Sequence, residues 1–333
     1  MINFGILGFG LHAVKRLMPG FALAQNCRVT ALSRRDIDKA RGSAKQYNIL
    51  LAFDSAEALC RSPQVDAIFV ATPNSCHLKD VLFAVQCGKP VLCEKPMAID
   101  AGQCRQMIDA ARNANVLLGV AQVFRFEEST RRLRERVAAG DIGKPIFARA
   151  EFSFQAKHSH ARSWINDAVI AGGGPIADVG VHCIDSLRFI LQDEVIRVSA
   201  RSASDEISGD VESAATLVLE LSHGTLASVA VSFRADYRTP LELVGEDGVL
   251  RADDALNVER PIQIELRRGN TLETETVSNQ LAYTRQVESF AAAVEGKQAF
   301  PIPGEEGWKN QEVLDAAYRS ITSGRVEEVR SVY

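Results

Sequence analysis

Lys95 closes an apolar run, Val91-Leu92-Cys93-Glu94-Lys95-Pro96, and is the residue whose place in the sequence most clearly invites chemistry. A charged pair leaving a buried parallel strand emerges where open α/β sheets bind ligands, at the carboxyl ends of the strands. Pro96 disfavours helical dihedrals at the residue before it, so Lys95 is expected in an extended segment. Held in a cleft, its ammonium is a proton handler or the partner of an oxyanion. At an open strand end it is a solvated lysine, and this segment alone supports both readings equally.

The second chemical stretch is Gly172-Gly173-Gly174-Pro175-Ile176-Ala177-Asp178-Val179-Gly180-Val181-His182-Cys183-Ile184-Asp185. A helix-like run starts at Asp178 and reaches Leu191. At about 100° per residue, Val179, Cys183, Leu187, Ile190 and Leu191 share one broad face, and Asp178, His182 and Asp185 lie opposite. That polar face is expected in bulk water or in a cleft, and periodicity alone favours water. In a cleft, His182 is a general acid/base with a carboxylate to orient it or stabilise its charge. The same residues could serve a metal, but no His-Glu-x-x-His pattern or cysteine set accompanies them, so no metal is expected. Lys157-His158-Ser159-His160 is read as surface, or as the border of a substrate site.

Gly8-Phe9-Gly10-Leu11-His12-Ala13 forms a Gly-x-Gly-x-x-Ala turn between the first strand-like run and a helical stretch. Gly8 suits a tight turn, Gly10 lets a pyrophosphate approach the backbone, and Ala13 lets the helix pack close to the strand. The helix N-terminus adds free N–H groups for the anion. His12 is read as a partly exposed turn residue without a catalytic part. Dinucleotide folds that prefer NAD usually place an acid about twenty residues further on. Here the second strand ends in Ser33-Arg34-Arg35, with no acid before Asp36. A hydroxyl and two guanidiniums suit a 2′-phosphate, so NADP is the expected cofactor, with NAD possible. The competing reading is that both arginines simply open a solvated helix.

The elements that must position these residues follow from the apolar pattern. Up to about residue 120, short runs at 4–7, 29–32, 67–70, 91–93 and 116–120 alternate with helical stretches at 36–47, 78–87 and 101–114, as a parallel α/β sheet requires. Gly88-Lys89-Pro90 is a helix stop. Beyond about 145 the strands alternate in polarity: 213–221 and 225–233 read as a hairpin, then 241–244, 249–251 and 262–267. Helices at 282–295 and 307–323 close the chain. The expected fold class is α/β, with a doubly wound nucleotide-binding domain over residues 1–121 and an α+β domain on a largely antiparallel sheet over 122–333. The last helix is free to pack back on the first domain.

Composition sets the outer limits. A length of 333 residues suggests about two domains, and 46% apolar content supports a core in each. The net charge of −4 is spread over both signs, which argues against nucleic acid as a partner. No stretch has the character of a signal peptide or a membrane span. The 7 cysteines are odd in number and lack a Cys-x-x-Cys pair, so neither a disulfide framework nor structural zinc is expected, and a cytoplasmic protein is.

Taken together the motifs resemble the glucose–fructose oxidoreductase, inositol dehydrogenase and rhizopine-catabolism (Gfo/Idh/MocA) family over nearly the whole chain. The resemblance rests on the glycine turn, Ala71-Thr72-Pro73-Asn74 with His77, Gly88 to Pro96, Gly140-Asp141-Ile142-Gly143-Lys144-Pro145, the triple glycine with Asp178 and His182, Gly245-Glu246-Asp247-Gly248 and Gly304-Glu305-Glu306-Gly307. It implies a Rossmann domain, a C-terminal domain whose open sheet forms a homodimer or homotetramer interface, and NAD(P)-dependent chemistry on sugar-like alcohols and ketones. By that analogy Lys95 hydrogen-bonds the reacting oxygen, His182 exchanges its proton and Asp178 lies beside the substrate. Ala71, Thr72, Pro73, Asn74, His77 and Glu94 would line the cofactor, and Arg125, Arg162 and Trp164 the substrate. Ala121-Gln122-Val123-Phe124 departs from the asparagine-containing versions of the family. The alternative class is a nucleotide-binding sensor or transcriptional co-regulator of the same fold without turnover. Such a sensor has no chemical need for Lys95, Asp178 and His182 together.

Overall fold

The computed structural model describes residues 1–156, 164–206 and 208–330. They divide into two units, Met1–Gln122 with Tyr283–Trp308, and Val123–Ala282 with the chain from Lys309 on.

In the first unit six strands, β1 (Ile2–Leu7), β2 (Cys27–Ser33), β3 (Leu51–Phe53), β4 (Ala67–Val70), β5 (Val91–Glu94) and β6 (Leu118–Ala121), form one sheet in the order β3-β2-β1-β4-β5-β6. Every pairing in it is parallel. Helices α1 (Met18–Leu23), α2 (Ile37–Tyr47), α3 (Ala56–Cys60), α4 (His77–Gln86) and α5 (Ala101–Asn113) connect the strands. Strands β4, β5 and β6 are buried at every residue, which is why they read as continuous apolar runs rather than alternating ones. The Asp36 side chain accepts the N–H groups of Asp38 and Lys39 to start α2, and Asp100 accepts that of Gln103 to start α5. Each such cap is worth about 1 kcal/mol. Within the same unit Phe290 packs against Phe4 and Phe300, with ring centroids 6.1 and 5.1 Å apart. That packing draws the 283–308 segment into the core.

The strand order reverses between β1 and β4, neighbours in the sheet but not in sequence. This is the switch point at which open α/β sheets leave a crevice outside their carboxyl ends. The glycine turn follows β1, Ala71-Thr72-Pro73-Asn74 follows β4, and Glu94-Lys95 ends β5.

The second unit is built on a nine-stranded sheet. Its strands are β7 (Pro145–Ser153), β8 (Val195–Ala203), β9 (Ala214–Leu221), β10 (Leu226–Ser232), β11 (Leu241–Gly245), β12 (Val249–Ala252), β13 (Pro261–Arg268), β14 (Thr271–Ser278) and β15 (Glu327–Glu328), in the order β14-β13-β12-β11-β7-β10-β9-β8-β15. The expected hairpin is present as β9 and β10, antiparallel with Leu219 opposite Ala227. Only β7 and β10 run parallel among these neighbours. Helix α6 (Glu128–Ala138) packs on α8 (Val181–Leu191), which also covers β7; the short α7 (Ala168–Ala171) lies between α6 and α8 in sequence. Helix α9 (Ala282–Val294) belongs almost wholly to the first unit, and α10 (Gly304–Ser323) begins there and continues in the second from Lys309 on.

Strands β3, β7, β8, β14 and β15 fall outside the sequence expectation. β3 is three half-buried residues, too short to show a period. β14 reads Thr-Leu-Glu-Thr-Glu-Thr-Val-Ser and is exposed or half-buried throughout, being at the sheet's edge. Its stabilisation comes from the ladder with β13 and not from an apolar face.

Candidate functional site

The first unit carries a dinucleotide-shaped cradle. Gly8 has φ of 80°, and a Cβ there would lie 2.7 Å from both Ala71 O and Thr72 N. The turn after β1 therefore rests directly on the turn after β4, and only glycine permits that approach. Gly10 differs. A Cβ on it would meet nothing closer than Gly8 O at 3.8 Å, so packing within the protein makes no demand for glycine. Its outer side is open, and in dinucleotide folds the second glycine of such a turn is the one that lets a pyrophosphate approach the backbone. Ala13 is fully buried, as close helix–strand packing requires. Phe9 is buried, whereas Leu11 is exposed at the surface of the turn.

This contrast sets an expectation. Gly8→Ala should lower the melting temperature and weaken NADPH binding together, because it strains the turn and drives it from Thr72. Gly10→Ala should leave the melting temperature within about a degree yet weaken NADPH binding about tenfold, which is about 1.4 kcal/mol. Fluorescence titration and thermal melts of the two variants check this. Unaltered NADPH affinity in Gly10→Ala would remove the turn from the cofactor site.

His12 takes a larger part than the sequence suggested. Its Nε2 lies 2.8 Å from Glu94 Oε1, and the other carboxylate oxygen, Oε2, accepts the Lys95 N–H at 3.1 Å. Burial by itself would raise the Glu94 carboxyl. The nearby His12 ring, the Lys95 ammonium and the backbone N–H outweigh it and hold that carboxyl below its usual range. The turn after β1 and the end of β5 are thus tied through one ionised carboxylate. No local signal near His12 or Glu94 announces this, since the two are joined only by the sheet order.

His77 is fully buried. Its Nε2 is 2.8 Å from Thr72 O, and its Nδ1 is 3.1 Å from Pro96 O and 3.3 Å from Met97 O. Burial holds the imidazole below its usual value, against the pull of these carbonyls. The ring pins the β4 turn to the chain just after Lys95, across a cis Lys95–Pro96 peptide. Thr72 donates to Asp80 Oδ2 at 2.7 Å. Asn74 is buried, while Ala71, Thr72, Pro73 and Lys95 are half-buried. At the β2 end, Ser33 is buried, Arg34 donates to Ser43 Oγ at 2.8 Å, and Arg35 is exposed.

In the second unit the helix of His182 corrects the sequence reading. His182 is 7% exposed and Asp185 1%, so the supposed solvent face of α8 is buried. Asp185 and Arg188 find their partners inside the protein. Arg125 binds Asp185 through two guanidinium nitrogens at 2.7–3.1 Å, and Asn310 donates to the same carboxylate at 2.7 Å. Arg188 reaches Glu194 at 2.7 Å and Asn310 at 2.6 Å. Breaking such a buried pair by removing one partner commonly costs ~3–5 kcal/mol. Asp185 is therefore committed to Arg125 and Asn310. Arg125, carried over as a substrate contact, places its Nε and one terminal nitrogen on this pair.

The imidazole of His182 lies beside two phenyl rings, with centroids 4.3 Å from Phe124 and 6.0 Å from Phe152. Asp178 is half-buried in a π-helical segment, Ile176–Gly180, which runs directly into α8. Trp164 is half-buried. Arg162 and the Lys157-His158-Ser159-His160 segment lie outside the described residues.

Comparison with known proteins bears on the two units as wholes. Residues 2–122 match the model of an oxidoreductase family with an NAD-binding Rossmann fold, and residues 130–251 match the GFO/IDH/MocA C-terminal domain. The chain is 30% identical to D-xylose 1-dehydrogenase (NADP(+)) 2 of Haloferax volcanii, over 98% of this chain and 99% of that one. It is 28% identical to 1,5-anhydro-D-fructose reductase of Ensifer adhaerens, over 99% of each. The fold is shared with aldose-aldose oxidoreductase from Caulobacter crescentus, whose glycerol complex superposes with a TM-score of 0.91 at 24% identity, covering 98% of this chain and 99% of that one. Two domain models in the right order, relatives aligned end to end and a glycine turn shaped for a dinucleotide lead to one assignment: the chain belongs to the Gfo/Idh/MocA family of oxidoreductases.

Proposed function

We propose that the chain is an NADP(H)-preferring oxidoreductase of a sugar-like cyclic alcohol or ketone: a monosaccharide, an anhydro-sugar, an inositol or a related cyclic diol. The observation that carries this reading is the meeting of the Gly8 turn, the Ala71–Thr72 turn and Glu94-Lys95 at adjoining strand ends. The relatives' printed activities, on xylose and on an anhydro-fructose, support the substrate class. When bound, the nicotinamide accepts or returns a hydride at the carbinol carbon. The Lys95 ammonium stabilises negative charge developing on the substrate oxygen. In oxidation His182 takes the hydroxyl proton, and in reduction it returns it. Asp178 lies beside the substrate, and Phe124 and Phe152 shield the imidazole from water.

The cofactor preference rests on the β2 end. Asp36, the nearest acid, already accepts two backbone N–H groups as the cap of α2, which leaves Ser33, Arg34 and Arg35 to face a ribose substituent. Titration of fluorescence is expected to show NADPH binding at least about tenfold tighter than NADH. Comparable affinities, or tighter NADH, would overturn the preference. A panel of sugars and polyols, run in both directions with both cofactors, then identifies the substrate. No turnover with any of them would favour a sensor.

Homo-oligomerisation through the second unit's sheet belongs to the same proposal. Phe147 and Leu226 are register neighbours on β7 and β10, 50% and 44% exposed, and Val218 on β9 is 51% exposed. An apolar patch on an open sheet face suits a self-complementary interface. All 7 cysteines are free thiols, and no described helix is long and apolar enough to cross a membrane. The thiols support a reducing, cytoplasmic setting.

A further inference from the structure

The triple glycine has a partner outside every motif discussed so far. Gly172 and Gly173 have φ of 76° and 150°, conformations that side chains rarely adopt. A Cβ on Gly173 would collide with Tyr318 Oη, and one on Gly174 with the Glu212 carbonyl. The glycines make room for two residues of the same unit, Glu212 just before β9 and Tyr318 on α10.

Glu212 is buried and fully engaged. Its Oε2 accepts the Gly174 N–H at 3.0 Å, and its Oε1 accepts the Ile176 N–H at 3.0 Å. Tyr318 donates its hydroxyl to Oε1, also at 3.0 Å. Pro175 has no N–H, so one carboxylate takes both donors that flank it. Ile176 begins the π-helical segment, Asp178 N–H donates to Gly174 O at 3.0 Å, and His182 follows as the second residue of α8. The N–H groups at a helix start lack intrahelical partners and carry the positive end of its dipole, so a carboxylate there is favoured. It also fixes where the helix begins. A slip of one residue in an α-helix moves a side chain by about 1.5 Å along the axis and about 100° around it.

We propose that Glu212, clamped by Tyr318, is a positioning residue for proton transfer: it sets the start of the helix that carries Asp178 and His182, and so the place of the His182 imidazole. This rests on the assignment of His182 above. Gln at 212 keeps one acceptor but turns an amide NH₂ toward a backbone N–H. Phe at 318 removes only the clamp.

The test measures kcat, KM for the alcohol and Kd for NADPH in Glu212→Gln and Tyr318→Phe, with melting curves to establish the folded fraction and His182→Ala assayed alongside. Displacement of a catalytic group by ~1 Å costs up to ~100-fold. The expected result for Glu212→Gln is therefore a ~10–100-fold fall in kcat per folded molecule, with Kd for NADPH unaltered and KM changed less than kcat. Tyr318→Phe should lose ~3–10-fold in kcat on the same logic. A purely structural role would lower the melting temperature and leave kcat of the folded protein alone. A folded Glu212→Gln enzyme with kcat within about twofold of the native value overturns the proposal. Should that variant not fold, unaltered kcat in Tyr318→Phe overturns it. If His182→Ala itself turns over normally, the assignment of His182 fails, and the result is read as that failure and not as one of Glu212.

Discussion

Lys95→Ala is expected to lower turnover ~10²–10³-fold while NADPH still binds, the usual scale for losing one preorganised donor to a developing oxyanion. The argument starts from the backbone. Lys95 is the first residue past β5, its N–H is held by Glu94, and the carbonyls of Pro96 and Met97 meet His77. The lysine stem therefore leaves from an anchored point, which a flexible surface lysine lacks. Preorganisation of this kind is what makes a charge effective, because no reorganisation is needed as the reaction proceeds. Cofactor binding should survive, since the glycine cradle does not use the ammonium and the His12 ring and the Lys95 backbone N–H still hold the Glu94 carboxylate. Lys95→Arg should not restore the rate: guanidinium is a planar fork and does not replace a compact point charge. Steady-state kinetics together with NADPH titration decide the matter. Turnover within tenfold of native in Lys95→Ala would return this lysine to the solvated reading.

Much of the first unit was legible because parallel strands buried on both faces must be apolar at every position. Runs such as Ala67–Val70 and Val91–Glu94 therefore announce themselves, and Gly88 with Pro90 marks the stop between helix and strand. The glycine turn was readable for the same local reason: its chemistry lies in consecutive residues. What sequence could not show was which ends become neighbours. The 2.7 Å approach of Gly8 to Thr72 and the His12–Glu94 contact depend on strand order, and no periodicity encodes that.

The second unit shows the limit more sharply. Periodicity alone favours water for the face of Asp178, His182 and Asp185, because isolated charges are costly to bury. The rule fails once partners arrive from distant segments, as Arg125 and Asn310 do for Asp185. Glu212 carried no signal at all. It sits between Val211 and Ser213 just before a β-strand, and its meaning lies in two backbone N–H groups more than thirty residues earlier. The triple glycine was visible, but its cause was not, since the side chains it accommodates belong to Glu212 and Tyr318.

The second large effect is expected at His182. Replacing it with alanine should reduce kcat ~10²–10⁴-fold, the range for removing a positioned general acid/base. The remaining proton transfer would pass through water, so kcat should fall with the Kd for NADPH unaltered. Two structural facts favour a proton-handling part over a packing one. The ring is held at the start of α8 beside Phe124 and Phe152, which stand 6.1 Å from each other and bring no charge of their own. Asp178 lies one turn earlier, on a segment whose own start is held by backbone contacts to Glu212. A histidine kept only for packing would be replaced at the cost of stability, and kcat per folded molecule would barely move. His182→Phe separates the two. It retains an aromatic ring of similar size next to Phe124, so packing is largely preserved while the exchangeable proton is lost. If His182→Phe matches His182→Ala in kcat and keeps the native melting temperature, the loss is chemical. If His182→Phe turns over like the native enzyme at every pH, the imidazole is a buried aromatic spacer, and the base must be sought elsewhere.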